Sequence, residues 1–102
     1  EVHDAFSVCE PMILESLGFT DHGNGMDMIK NLQQTKNFKI NPRGGLIGCG
    51  HPLGATGISQ TIEIIEQLQN NAAGRQTDNP KTGLIHNMSA AATSSTVLVL
   101  EK

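Results

Sequence analysis

The sequence has no tryptophan, no tyrosine and only three phenylalanines in 102 residues. A protein that grips nucleic acid wants a basic stripe and aromatic rings on which bases stack. Here seven basic residues face ten acidic ones, a net charge of -3, so a nucleic-acid partner is excluded on both counts. Long apolar runs are missing as well. The longest is the four residues from Val97 to Leu100, against the roughly 20 that a membrane-spanning helix takes, so no membrane span is expected. Cysteine is scarce: Cys9 and Cys49 are too few for a disulfide framework, and no basic-then-apolar leader precedes them. The expected setting is therefore reducing and cytoplasmic. Charged residues reach only 17%, below the roughly 25% usual for soluble domains, which argues against charge-driven disorder.

What is present is material for one small core, with 37% apolar residues. A chain this short buries only roughly 60–65% of its unfolded surface, so modest stability is expected without a partner. The sequence opens on Glu1-Val2-His3-Asp4 with no methionine. We expect a single domain, residues 1–102, cut from a longer chain and holding part of a site.

Apolar residues at helical spacing predict a helix over 6–17, with Asp4 or Ser7 as cap and Gly18 as stop. Pro11 predicts a kink or a later start near Glu10. Residues 21–37 are polar and loop-like, with a short helix at 26–32, and 38–40 suggest a short strand. Six of the eleven glycines fall between Gly44 and Gly57. A helix follows over 57–69, with Ile58, Ile62, Ile65 and Leu68 as its inner face and Glu63, Glu66 and Gln67 as its outer one. After a loop over 70–82, strands at 84–86 and 96–100 flank a turn at 89–95. The fold class is α/β, a sheet with helices packed on it.

A glycine loop entering a helix suits close backbone approach to a ligand. The nucleotide-binding loops fail: His51 stands where a phosphate loop needs lysine, and Leu53 where a dinucleotide loop needs glycine. What remains is Gly50-His51-Pro52-Leu53-Gly54-Ala55-Thr56-Gly57, a rigid loop holding one imidazole, which suits an acid, a base or a hydrogen-bond donor.

The stretch Asn41-Pro42-Arg43-Gly44-Gly45 followed by Gly50-His51-Pro52-Leu53-Gly54 resembles the Asn-x-x-Gly-Gly and Gly-His-Pro-x-Gly segment of thiolases. In the expected order, His3-Asp4-Ala5-Phe6 resembles the His-Asp-Cys-Phe block of the sterol-carrier-protein branch, and His86-Asn87 its His-Asn pair. The resemblance spans essentially the whole chain. It implies a thiolase-like fold, the later part of the second of two similar halves, with a mixed sheet. The nucleophilic cysteine would lie in the first half, so this chain alone would be inert. By the same resemblance, His51 activates that cysteine and hydrogen-bonds a thioester oxygen, and His3 helps hold the second thioester. Gly50 and the backbone around Met88 line the substrate. Asp4 is expected to cap a helix or orient its neighbour. Coenzyme A would enter as a substrate; no cofactor and no metal are expected. Cys-x-His is not a structural zinc spacing. The parent would be a dimer or tetramer.

Two departures bear on mechanism. Relatives place an acid–base cysteine either in the Cys-x-Gly block or in His-Asp-Cys-Phe, where this chain has His86 and Ala5. Cys49 is one replacement, because residues two apart in an extended segment point the same way and would set its thiol beside His51; His86 is the other. The glycine-rich turn of relatives is here Ser89-Ala90-Ala91-Ala92. Three functions stay open: thiolysis or Claisen condensation of acyl-CoA, an aldolase-type lyase subunit, and a non-catalytic acyl-CoA-binding homologue.

Overall fold

The computed structural model describes residues 1–32, 34 and 38–102. The expected polar stretch over 21–37 includes positions 33 and 35–37, which lie outside the described residues.

The first helix, α1 (Cys9–Ser16), begins after Val8, which offers no side-chain cap. Neither Asp4 nor Ser7 fills that role, and Phe6, outside the helix, is exposed. Pro11 falls in the first turn, where its missing N–H would have had no helical partner, so α1 accommodates it. The stop is as expected: Gly18 takes φ +77°, the Phe19 N–H bonds the Leu14 carbonyl and the Gly18 N–H bonds the Glu15 carbonyl. Helix α2 (Gly25–Leu32) packs on α1, and its Gly25 N–H donates to Glu15 Oε1 at 2.9 Å.

Residues 38–40 form no strand. Instead, the Asn41 side chain reaches back to Val2, accepting from its N–H at 2.7 Å and donating to its carbonyl at 3.3 Å. One amide side chain thus does for Val2 what a neighbouring strand would do. The glycine-rich segment contains a five-residue helix, α3 (Gly45–Cys49), where a loop is expected from composition.

Helix α4 (Thr56–Leu68) crosses one face of an antiparallel pair, β1 (Thr82–Met88) and β2 (Ser95–Glu101), both longer than expected. On β1's other side, the Glu1 amine donates to the Leu84 carbonyl and the His86 N–H to the Glu1 carbonyl, the bond pattern of a parallel pair. Ile64, Leu68 and Ile85 form the core there, with Leu100 against them.

Helix α4 buries a different face from the expected one, with Leu68 alone of the four expected inner residues inside. Ile58, Ile62 and Ile65 are exposed, whereas Thr56, Gln60, Glu63 and Gln67 face inward with Ile64 and Leu68. The reason is that every inward polar group has a partner. Glu63, only 1% exposed, receives Arg75 Nε and Nη2 and Gln67 Nε2. Gln67 in turn bonds the Arg75 carbonyl and the Thr77 N–H. These bonds fasten the 3-10 turn Ala73–Arg75 to the helix.

Burial is the largest influence on the Glu63 carboxyl and raises its pKa. The hydrogen bonds from Arg75 and Gln67, with the guanidinium charge, outweigh it and hold the group below its ordinary value. A carboxyl with a depressed folded-state pKa stabilises the fold above its unfolded pKa, and that contribution is lost as pH falls through the folded value. Arg75→Ala should therefore lower Tm at pH 7, and the gap from wild type should close as pH drops below the ordinary carboxylate range. Thermal melts of both proteins across that range check this; a gap independent of pH would contradict it.

Candidate active site

Three histidines from distant parts of the sequence gather beside the N-terminal end of α4. His3 follows the segment paired with β1, His51 sits in the loop between α3 and α4, and His86 is on β1. The rings of His3 and His51 meet edge to face, with centroids 4.8 Å apart and planes at 85°. His3 and His86 are both buried, and Nδ1 of each lacks a hydrogen-bond partner among the described residues. Burial chiefly, then the charges of His51 and His86, lowers the His3 pKa against an opposing pull from Asp4. Burial also lowers that of His86. Both rings are thus kept neutral at pH 7.

The tautomer of His51 follows from its neighbours. Its Nδ1 lies 2.8 Å from Thr56 Oγ1, and that hydroxyl lies 3.2 Å from the Pro52 carbonyl. A carbonyl can only accept, so the single hydroxyl proton goes to Pro52 and Thr56 Oγ1 accepts from His51 Nδ1–H. In the neutral ring the lone pair is then on Nε2.

Residues 1–102 match the family described as thiolase C-terminal domain-like. The chain belongs to the thiolase family. Over its whole length it is 36% identical to an acetyl-CoA acetyltransferase of Methanothermobacter thermautotrophicus, of which it spans 27%. Over 86% of its length it is 43% identical to the sterol carrier protein 2 of Homo sapiens, spanning 16% of it. Over 84% it is 34% identical to a benzoylsuccinyl-CoA thiolase subunit of Thauera aromatica, spanning 23% of that protein. The chain therefore covers only 16% to 27% of the length of these relatives.

In this thiolase domain the remaining candidates fall out differently. Cys49 ends α3, so the extended geometry that would aim its thiol along His51 is not there; Sγ donates to the Arg43 carbonyl at 3.0 Å. The Gly50 N–H is bonded to the Leu46 carbonyl, which leaves this residue to turn the chain at φ +85°. Asp4 does cap a helix, though it is α3: its Oδ1 accepts from the Leu46 N–H at 2.7 Å.

The ladder register decides what Met88 offers. Ser89 N–H bonds the Ser94 carbonyl and Lys102 N–H the Lys81 carbonyl. These cross-strand pairs continue the β1–β2 register at its two ends, so the odd-numbered residues of β1 make the bonds to β2. The even ones turn their N–H and carbonyl groups the other way. Leu84 and His86 obey this, through Glu1 and Gln60. The Met88 N–H accordingly points away from β2, on the side of the Glu1-Val2-His3 segment.

Thr56, Gln60 and Ser95 went unnoticed in the sequence. Thr56 lies in the motif that carries His51, and the Gly-His-Pro turn into a helix could have marked it. Gln60 donates to the His86 carbonyl at 3.3 Å and Ser95 Oγ lies 3.3 Å from His86 Nε2, but no local spacing announces either contact. A cavity of about 500 Å³ lined by Leu14, Phe19, Phe38, Ile64 and Leu68 includes none of the histidines. Among the described residues, no three His, Cys, Asp or Glu side chains converge as metal ligands, and no helix is long and apolar enough to cross a membrane.

Proposed function

We propose that this domain supplies the acid–base histidines of a thiolase acting on acyl-CoA thioesters, the nucleophilic cysteine coming from a preceding half of a longer chain. One observation carries the reading: Thr56 holds His51 with Nε2 as its basic nitrogen, and the buried ring of His3 stands against it. His51 Nε2 takes the cysteine proton as the sulfur attacks an acyl-CoA carbonyl, and returns a proton to the departing coenzyme A thiolate. The acyl group stays on the cysteine. A second thioester then loses its α-proton to neutral His86, and its carbanion attacks the acyl carbon. As the new C–C bond forms, the cysteine sulfur leaves. Thiolysis runs the same steps backwards.

His3 and the Met88 N–H suit the oxygen of that second thioester, where negative charge grows as the proton is removed. His86 is the better base of the two replacements. Its Nδ1 is buried without a partner, whereas the Cys49 thiol is engaged by Arg43. The outward Ile58, Ile62, Ile65, Val97 and Val99 support a covering half and an assembly of two or four chains.

One feature favours the lyase reading instead. Ser89 Oγ accepts the N–H groups of both Thr93 and Ser94, so the turn that is glycine-rich in relatives closes on itself with Ala92 at φ +52°. The deciding experiment incubates the full-length protein with acetoacetyl-CoA and coenzyme A and identifies the products. Two acetyl-CoA per acetoacetyl-CoA establish thiolysis. No thiolysis, with a ketone or aldehyde released from a β-hydroxyacyl thioester, establishes the lyase.

A further inference from the structure

We infer that Gln60 is a positioning residue that sets the end of β1 against His51. Its amide has one arrangement. The His86 carbonyl can only accept, so Nε2 faces it at 3.3 Å, and Oε1 accepts from Asn87 Nδ2 at 2.9 Å. Gln60 is 3% exposed, so neither bond competes with bulk water. It sits one turn beyond Thr56 on the same face of α4. Two consecutive inward side chains of one rigid helix thus hold the two halves of the site: Thr56 holds the His51 ring, and Gln60 holds the backbone that carries His86 and leads to Met88.

The His86 carbonyl is on the edge of β1 away from β2, where the Glu1 carbonyl takes the His86 N–H and Gln60 takes the carbonyl, and Ser95 approaches only the His86 ring. Gln60 is therefore the side chain that ties this strand end to the helix whose Thr56 holds His51. Misplacement of a reacting group by about 1 Å costs on the order of 10²-fold in rate.

The inference rests on the thiolase reading for its kinetic consequence, and the test separates the two. In the full-length protein, Gln60→Met keeps the volume and removes both bonds. Its kcat for acetoacetyl-CoA thiolysis should fall by about 10²-fold with KM within about threefold, since the groups it positions act on charge that grows only in the transition state. Gln60→Glu adds a signature that a merely structural role would not give. As a buried carboxylate it faces the His86 carbonyl without a proton; as a carboxylic acid it can donate again. Its kcat relative to wild type at the same pH should rise as pH falls.

In protein labelled at histidine Cε1, the His86 resonance should shift in Gln60→Met. A kcat within twofold of wild type, or a loss matched by a fall in folded fraction with a pH-independent Gln60→Glu ratio, overturns the inference. If His51→Ala keeps full activity, the thiolase reading is what fails. The His86 resonance then decides alone: a shift upholds the positioning by Gln60, and an unmoved signal refutes it.

Discussion

His51→Ala in the full-length protein is expected to lower the thiolysis kcat by about 10³–10⁴-fold while leaving the fold intact. The size follows from the ring's double duty. On the mechanism proposed above it removes the thiol proton of the nucleophile and returns one to the leaving thiolate, so the transfer of the acyl group between sulfurs loses both of its proton transfers. The fold should survive because the ring is only half-buried and its hydrogen bond to Thr56 is local. Thr56 keeps a partner in the Pro52 carbonyl after the ring is gone. Steady-state kinetics beside a thermal melt check the pair of outcomes, and an active, well-folded variant would remove His51 from the mechanism. Cys49→Ala is the companion that assigns the α-proton. A loss comparable to that of His51→Ala gives the task to the thiol, and a small loss leaves it with His86.

Gly45→Ala is expected to destabilise the protein by about 3 kcal/mol, from two additive causes. Gly45 sits at φ +64°, which costs a residue with a Cβ roughly 1–2 kcal/mol. The added methyl would also fall on the Asp4 carboxylate, too close to its carbon and both oxygens. Overpacking of this kind costs about 1–3 kcal/mol. Asp4 has little room to yield, being 3% exposed and bound to the Leu46 N–H. Because Asp4 adjoins His3, the clash should also cost activity in the fraction that stays folded. Gly74→Ala is the control: nothing stands within 4 Å of its Cβ position and its φ is ordinary. Urea unfolding should leave that midpoint near wild type and move the Gly45→Ala midpoint far down; equal midpoints would refute the account.

Much of the architecture was legible from residue types alone. Gly18 ends α1, the period of 3.6 locates α4 to within one residue, and short apolar runs mark both strands. The errors share a cause. Hydropathy assigned Ile58, Ile62 and Ile65 to the inside of α4, but a polar residue goes inside when its hydrogen bonds are met there. The partners of Glu63 and Gln60 come from Arg75, His86 and Asn87, which no local pattern announces. The expected strand at 38–40 does not form, and it is the Asn41 side chain just beyond it that bonds Val2. Asp4 stands where a cap for the next helix is expected, yet it caps one 42 residues away. In the candidate site, the motifs pointed to His3, His51 and His86. The helix α3 that turns Cys49 aside is hidden by its glycines.

The long reach of the first four residues also bears on how the molecule forms. Glu1 bonds a strand 83 residues away, Val2 a side chain 39 away, and Asp4 a backbone amide 42 away. Contacts so distant require large loops to close before they return any stabilisation. The segment carrying His3 is therefore expected to dock late, onto α3 and β1 already in place. A chain arrested short of that step would have the helices and the β-hairpin but not the edge-to-face pair of His3 and His51, so the candidate site would be assembled only as the fold is completed.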